Sequence, residues 1–251
     1  MPPGQREVDR LFSDVRLAAL YDAFCAGRPD FAFYLPLVMS AKSVLDVGCG
    51  TGALLHAARA AGHPGRLCGL DPARGMLEQA RRRADIEWIL GDLATVAWER
   101  EFDLAVMTGH AFQVFVEDDE LRASLAAIRS ALVDGGRFAF ETRNPLARGW
   151  EAWTPDNAVE IVADGGVAVR MAHELETPVG ADVVSFTTTF SSPGWDRPQS
   201  SRSTLRFIDA DSLSLLLSNA GLLIEEQYGD WDGQPLSETS PEMITIARRE
   251  G

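Results

Sequence analysis

The segment Val44-Leu45-Asp46-Val47-Gly48-Cys49-Gly50-Thr51-Gly52 constrains this chain more than any other. A short apolar strand runs into alternating glycines, and residues 53–61 then continue at helical spacing to Gly62. A strand that turns through glycines straight into a helix opens a βαβ unit, because parallel strands need a crossover. Glycine permits positive φ and lets a ligand lie directly on the backbone, while the helix start contributes free N–H groups and partial positive charge. In a dinucleotide enzyme that end faces a pyrophosphate, with GxGxxG spacing. Here the spacing is GxGxG, and Asp46 precedes it. A carboxylate there repels pyrophosphate but can hold a cationic amino acid moiety, which disfavours a nicotinamide oxidoreductase.

Strands and helices alternate around this point. Strands are expected at 43–47, 66–70, 86–90, 102–107 and 137–141, with helices at 53–61, 73–84 and 118–133 between them. Gly135-Gly136 is read as the turn into the fifth strand. Upstream, 14–26 reads as one helix closing at Gly27, and a second follows Asp30 until Pro36 kinks or ends it. From about 158 to 207 the pattern is period-two alternation, with strands at 159–163, 167–175, 182–190 and 203–207. A helix at 210–220 and strands at 222–228 and 243–248 complete the order. The expected architecture is α/β: a Rossmann-like, doubly wound, mostly parallel seven-stranded sheet. N-terminal lid helices (14–40) precede it, and an antiparallel β insertion (158–207) follows strand five as a cap on a single domain, 1–251.

Three acids follow three successive strands. Asp71, at the end of the second, can accept both hydroxyls of a ribose, or can cap the next helix. Asp92, after the third, can accept from an adenine amino group, with Leu93 and Met76 against the ring. With Asp46 and no basic phosphate clamp, this set suits a sulfonium nucleoside.

These residues carry a resemblance. VLDVGCGTG resembles the signature loop of class I S-adenosylmethionine-dependent methyltransferases, GLDPARGML the acidic end of their second strand, and GDL their adenine-side loop. FDLAVMTGHAFQVF and LVDGGRFAFETRNP are similar to their fourth- and fifth-strand segments. The likeness covers roughly 14–150 and 210–248, is closest to the small-molecule type with a methyltransferase 25/11-like domain, and leaves the β insertion divergent. It implies S-adenosyl-L-methionine as cofactor, bound by Asp46, Gly48, Cys49, Gly50, Gly52, Asp71, Pro72, Met76, Gly91, Asp92, Leu93, Thr108, Gly109 and Phe112. It also implies methyl transfer to an O, N or C nucleophile. The same cofactor would equally serve intramolecular alkylation, or a binding protein without catalysis.

Methyl transfer needs mainly alignment, desolvation and sometimes a base. His110, after the fourth strand, is the candidate base, with an ordinary pKa near ~6.5, or else a hydrogen-bonded loop histidine. Acceptor contacts are expected from Glu141 and Arg143 at the fifth strand's end, Trp150 and Trp153 beyond it, and Tyr21, Arg28 and Tyr34 of the lid. The [DN]PP[FYW] tetrad of nucleic-acid and glutamine N-methyltransferases is missing; Asn144-Pro145-Leu146 stands there instead. The acidic balance, 23 Lys and Arg against 37 Asp and Glu for a net −14, opposes a nucleic-acid partner. No apolar run approaches the ~20 residues of a membrane span, and the start, Met1 to Leu11, lacks a secretory core. Cys25, Cys49 and Cys68 form no CxxC pair or metal cluster, so no metal and a cytoplasmic setting are expected. The expected partner is a small-molecule acceptor, with the protein a monomer or homodimer.

Overall fold

In a computed structural model, which describes residues 8–163 and 165–251, the glycine segment lies at the centre of the main sheet. The first seven residues of the polar start fall outside the described residues. Short helices α1 (Arg10–Ser13), α2 (Val15–Ala18) and α3 (Tyr21–Phe24) lead to α4 (Asp30–Ser40). The single helix expected over 14–26 is therefore broken. Asp14 accepts from the Arg16 and Leu17 amides at 2.9 and 3.4 Å, which starts a new helix at Val15. Conversely, α4 continues through Pro36. Pro36 and Ala32 are both exposed, so the carbonyl that loses its helical donor faces water.

Then follow β1 (Ser43–Val47), α5 (Ala53–Ala60), β2 (Arg66–Asp71), α6 (Arg74–Ala80), β3 (Glu87–Leu90), β4 (Phe102–Met107), α7 (Asp118–Ala131) and β5 (Leu132–Arg143). The inserted strands are β6 (Val159–Ala163), β7 (Val167–Leu175), β8 (Val183–Ser191) and β9 (Gln199–Arg206). The chain closes with α8 (Ala210–Asn219), β10 (Leu222–Tyr228) and β11 (Glu242–Arg249). Gly135-Gly136 is not a turn before β5 but a bulge inside it. Pairing jumps from Phe102↔Leu132 to Leu104↔Arg137, and the positive φ of Gly135 absorbs the extra residues.

The seven-stranded sheet has the order β10-β11-β5-β4-β1-β2-β3 and is parallel except at β11, which runs antiparallel to both neighbours. Strand order reverses at β1, between β2 and β4, where open α/β sheets bind ligands. Alternation along β1 puts Val44 and Asp46 on one face and Leu45 and Val47 on the other. The first face packs Val44, Leu104, Val106 and Ala139 under Tyr34 and Val38 of α4, with Leu54 of α5. The second buries Leu45, Met107, Phe138 and Phe140 under α7 and α8.

Strands β6 to β9 form a separate antiparallel sheet in sequence order. It rests on the N-terminal helices: the Leu11 amide donates to Ser201 Oγ at 2.9 Å, Ser203 Oγ donates to Asp9 at 2.6 Å, and the Phe24 and Phe190 rings meet edge to face at 5.8 Å. Among the described residues, no helix is long and apolar enough to cross a membrane.

Candidate functional site

Three loop glycines hold positive φ, and two of them show why the residue type matters. At Gly52 a Cβ would run into the Trp88 ring, whereas at Gly50 nothing lies within 4 Å, so the loop is open there. Asp71 fastens this loop. Its Oδ2 accepts from the Gly50 amide at 2.8 Å and its Oδ1 from the Ala73 amide at 2.7 Å. Each oxygen thus has one lone pair engaged by backbone and one left for a ribose hydroxyl, so the capping and ribose readings of Asp71 coexist. Burial pushes Asp71 up to about 6, held back by those two amides.

Asp46 is the unsatisfied group of the site. It is 1% exposed, and its Oδ1 has no hydrogen-bond partner. Burial, with the neighbouring Asp71 charge and against Arg28, pushes it up to about 7. A buried carboxylate oxygen without a donor beside a glycine loop fits a ligand ammonium group. Asp46 lines a cavity of about 410 Å³ together with Gly48, Gly50, Thr108, Tyr21 and Arg28. The N-terminal helices close this cavity: Thr51 Oγ donates to Asp22 at 2.6 Å, and Arg28 is clamped to Asp30 by Nε at 3.0 Å. Gly109 leaves room for that guanidinium, whose NH2 would stand 3.2 Å from any Cβ there.

Beyond Thr108 the chain takes two consecutive left-handed residues, Gly109 and His110, before a 3-10 turn at Ala111–Val114. For His110 this conformation costs roughly 1–2 kcal/mol. Its amide recovers some of that by donating to Glu141 Oε1 at 2.8 Å. The other Glu141 oxygen accepts from the Tyr34 hydroxyl at 2.5 Å, in full burial. Burial raises Glu141, opposed first by His110.

His110 Nε2 lies 2.9 and 3.0 Å from the two oxygens of Glu242. The expected histidine pKa near neutrality does not hold. Burial and the Arg143 charge push His110 down to about 3, whereas burial pushes Glu242 up to about 7 despite Arg143. The carboxylate is therefore the member of the pair that titrates near neutrality.

Several expected ligand contacts sit elsewhere. Phe112 belongs to the core on the far face, stacked on Phe140 at 4.4 Å, and Leu93 packs into the same cluster. The left-handed turn at His110 sends Phe112 back across the sheet. Met76 is 2% exposed beneath Ala18, Phe12 and Tyr21, so in this arrangement the N-terminal helices cover it. Cys49 packs against Leu77, Ala80 and Trp88. Asp92 Oδ1 accepts from Ala94 and Thr95 at 3.0 Å, capping its own turn after Gly91. Pro72 lies between Asp71 and the Ala73 amide that Asp71 holds. Trp150 is a core anchor, 4.5 Å from Phe207, while Trp153 lies under Arg143, whose Cζ is 5.2 Å from the ring.

The sequence reading missed Asp30, His173 and Glu242 as site residues. Only Glu242 had a usable signal. Extending the last strand by one residue puts it on the face of Ile244 and Ile246, opposite Arg143.

Residues 44–136 match the family described as a methyltransferase domain. The cypemycin N-terminal methyltransferase of a Streptomyces species is 26% identical over 227 residues, 84% of this chain and 85% of that one. Among solved structures, the CcbJ methyltransferase from Streptomyces caelestis superposes with a TM-score of 0.74 at 19% identity, over 94% of this chain and 96% of that one. The sugar N-methyltransferase KedS8 from Streptoalloteichus sp. gives 0.71 at 22% identity, over 100% and 99% of the two chains.

Proposed function

The chain is a class I S-adenosylmethionine-dependent methyltransferase, and on that premise we propose that it methylates an amine nitrogen of a small molecule, with Glu242 as final holder of the proton. The observation that carries this reading is the contact of His110 Nε2 with Glu242 at 2.9 Å, one turn beyond Thr108. The names of two similar proteins, an N-terminal methyltransferase and a sugar N-methyltransferase, point the same way.

S-adenosylmethionine, when bound, supplies a methyl group on positively charged sulfur, with a neutral thioether as leaving group. Asp46, Gly50 and Asp71 are the residues we assign to hold it: the donorless Asp46 oxygen for its ammonium, the open loop at Gly50 for its backbone approach, and Asp71 for its ribose. Arg28, on the cavity wall, suits its carboxylate. Thr108 and Gly109 form the rim past which the acceptor approaches.

The acceptor nitrogen attacks with its lone pair and must shed one proton for each N–C bond formed. His110 is neutral at physiological pH, with Nε2 against Glu242 and Nδ1 without a protein partner among the described residues. In the ionised state of Glu242, Nε2–H donates to the carboxylate and Nδ1 is free to accept. The proton taken at Nδ1 is matched by the one passed from Nε2, so the imidazole stays neutral overall and Glu242 ends protonated. Burial and the Arg143 charge disfavour a charged imidazole at His110, whereas burial favours the protonated form of Glu242, so the carboxylate is the resting place.

The test needs no known acceptor. Metabolite extract is incubated with the protein and methyl-labelled S-adenosylmethionine, before and after exhaustive acetylation of its amines. Acetylation should abolish labelling. Undiminished labelling of the acetylated extract would mean that the nucleophile is not an amine.

A further inference from the structure

Arg143 differs from five other recessed arginines. Arg28, Arg59, Arg66, Arg206 and Arg249 each hold a carboxylate within 4.0 Å. Among the described residues, Arg143 has none. Its NH1 donates to Gln113 Oε1 at 2.9 Å, and its guanidinium lies over Trp153. Gln113 is itself fixed, donating to the Arg206 carbonyl at 3.0 Å. The fork is therefore held from one side, while Nε and NH2 have no protein acceptor among the described residues. The nearest candidate, Glu242, is the cross-strand partner of Arg143 on β11. It is committed to His110 instead.

A second polar group comes from the inserted sheet. His173 of β7 stands against Trp153 at 6.3 Å and Phe186 at 5.4 Å between ring centroids. Its Nδ1 meets Thr188 Oγ1 at 3.0 Å, and Nε2 has no partner among the described residues. Arg143 and His173 thus both lie against the Trp153 ring, and burial with the Arg143 charge pushes His173 down. A guanidinium held from one side, with two donors open, presents the geometry that takes an oxygen anion in bidentate fashion.

We propose that Arg143 and His173, walled by Trp153, form a subsite for an anionic oxygen group of the acceptor, a carboxylate or a phosphate. The acceptor is then an amine that also carries an anion, its nitrogen at the His110–Glu242 pair and its anion one strand away at Arg143. This rests on the amine reading above. The inserted sheet thereby supplies a specificity-determining residue, since His173 belongs to no part of the cofactor loop.

The probes are acetate, inorganic phosphate and neutral acetamide, titrated into protein saturated with S-adenosylhomocysteine and followed by the ring resonances of the histidines. Acetate or phosphate should shift His173 saturably, with affinity on the order of millimolar, and acetamide should not; the better of the two anions identifies the group. R143Q should weaken that anion at least tenfold while S-adenosylhomocysteine affinity stays within twofold. R143K, which keeps the charge and loses the fork, should give an intermediate loss and guards against a folding defect. No saturable shift with either anion, or equal shifts in wild type and R143Q, overturns the proposal. Ethylamine, titrated alongside, reads the amine site separately through His110. A response at His110 without one at His173 rejects the anion subsite alone, and the reverse rejects the amine reading alone.

Discussion

Replacing Asp46 by asparagine separates ligand binding from stability at one atom. The buried Oδ1 has no donor in the protein, and such a group costs about 1–3 kcal/mol. Asp46→Asn also removes the charge that burial and Asp71 penalise, so it should stabilise the ligand-free protein, at ~2–4 °C in Tm per kcal/mol for a chain of this size, while weakening S-adenosylhomocysteine. The pH dependence has a definite sign. A carboxyl raised to about 7 in the folded state binds its proton more tightly than in the unfolded chain. Its destabilisation is full above pH 7 and fades as pH falls toward 4, so the gain in Tm should be larger at pH 8 than at pH 5. Scanning calorimetry at both values checks this. Glu242→Gln bears on the proton. Wild-type turnover should rise as pH climbs through about 7, where Glu242 ionises, and the variant should lose that limb together with ~10²-fold or more of kcat. An unchanged profile would relieve Glu242 of its role. Asp46 was proposed because it adjoins the glycines in sequence, and Asp71 because it ends the second strand. His173 was not readable, because it reaches the site only by packing on Trp153, and Glu242 only by extending the last strand one residue to pair with Arg143.

At the scale of elements, alternation made the strands readable, including the two that flank the loop after α8. Element ends were less legible, and each miss has a local cause. Asp14 caps a new turn inside an apparently continuous helical pattern, Pro36 stands on a wet face, and Gly135 serves a bulge that no single-strand pattern displays. The association of β6 to β9 with the N-terminal helices could not be read at all, because it rests on contacts between residues far apart in sequence, such as Leu11 with Ser201 and Phe24 with Phe190. Phe190, fully buried against Phe24, is the apolar part of that association. Phe190→Ala should cost ~3–5 kcal/mol locally. It should speed amide hydrogen exchange across residues 9–24 and lower S-adenosylhomocysteine affinity, since Tyr21 and Arg28 line the cavity. Exchange and affinity both equal to wild type would show that the inserted sheet and the helices act independently.

For the molecule as a whole, two sheets meet over one polar centre. The parallel sheet brings Asp46, Thr108, Glu141 and Arg143 to one face, while the antiparallel sheet and the short helices cover them. The chain as a whole is acidic, at net −14, so polynucleotides should be retained weakly in filter binding even at low salt; tight binding that falls steeply with salt would reverse that expectation. The central claim is methyl transfer to an amine. It is tested most directly by supplying carbon-13 methyl S-adenosylmethionine with metabolite extract and locating the label in the product. The account predicts label on nitrogen, with one S-adenosylhomocysteine formed per methyl transferred. Label on oxygen or carbon, or methylthioadenosine as the by-product, would contradict it.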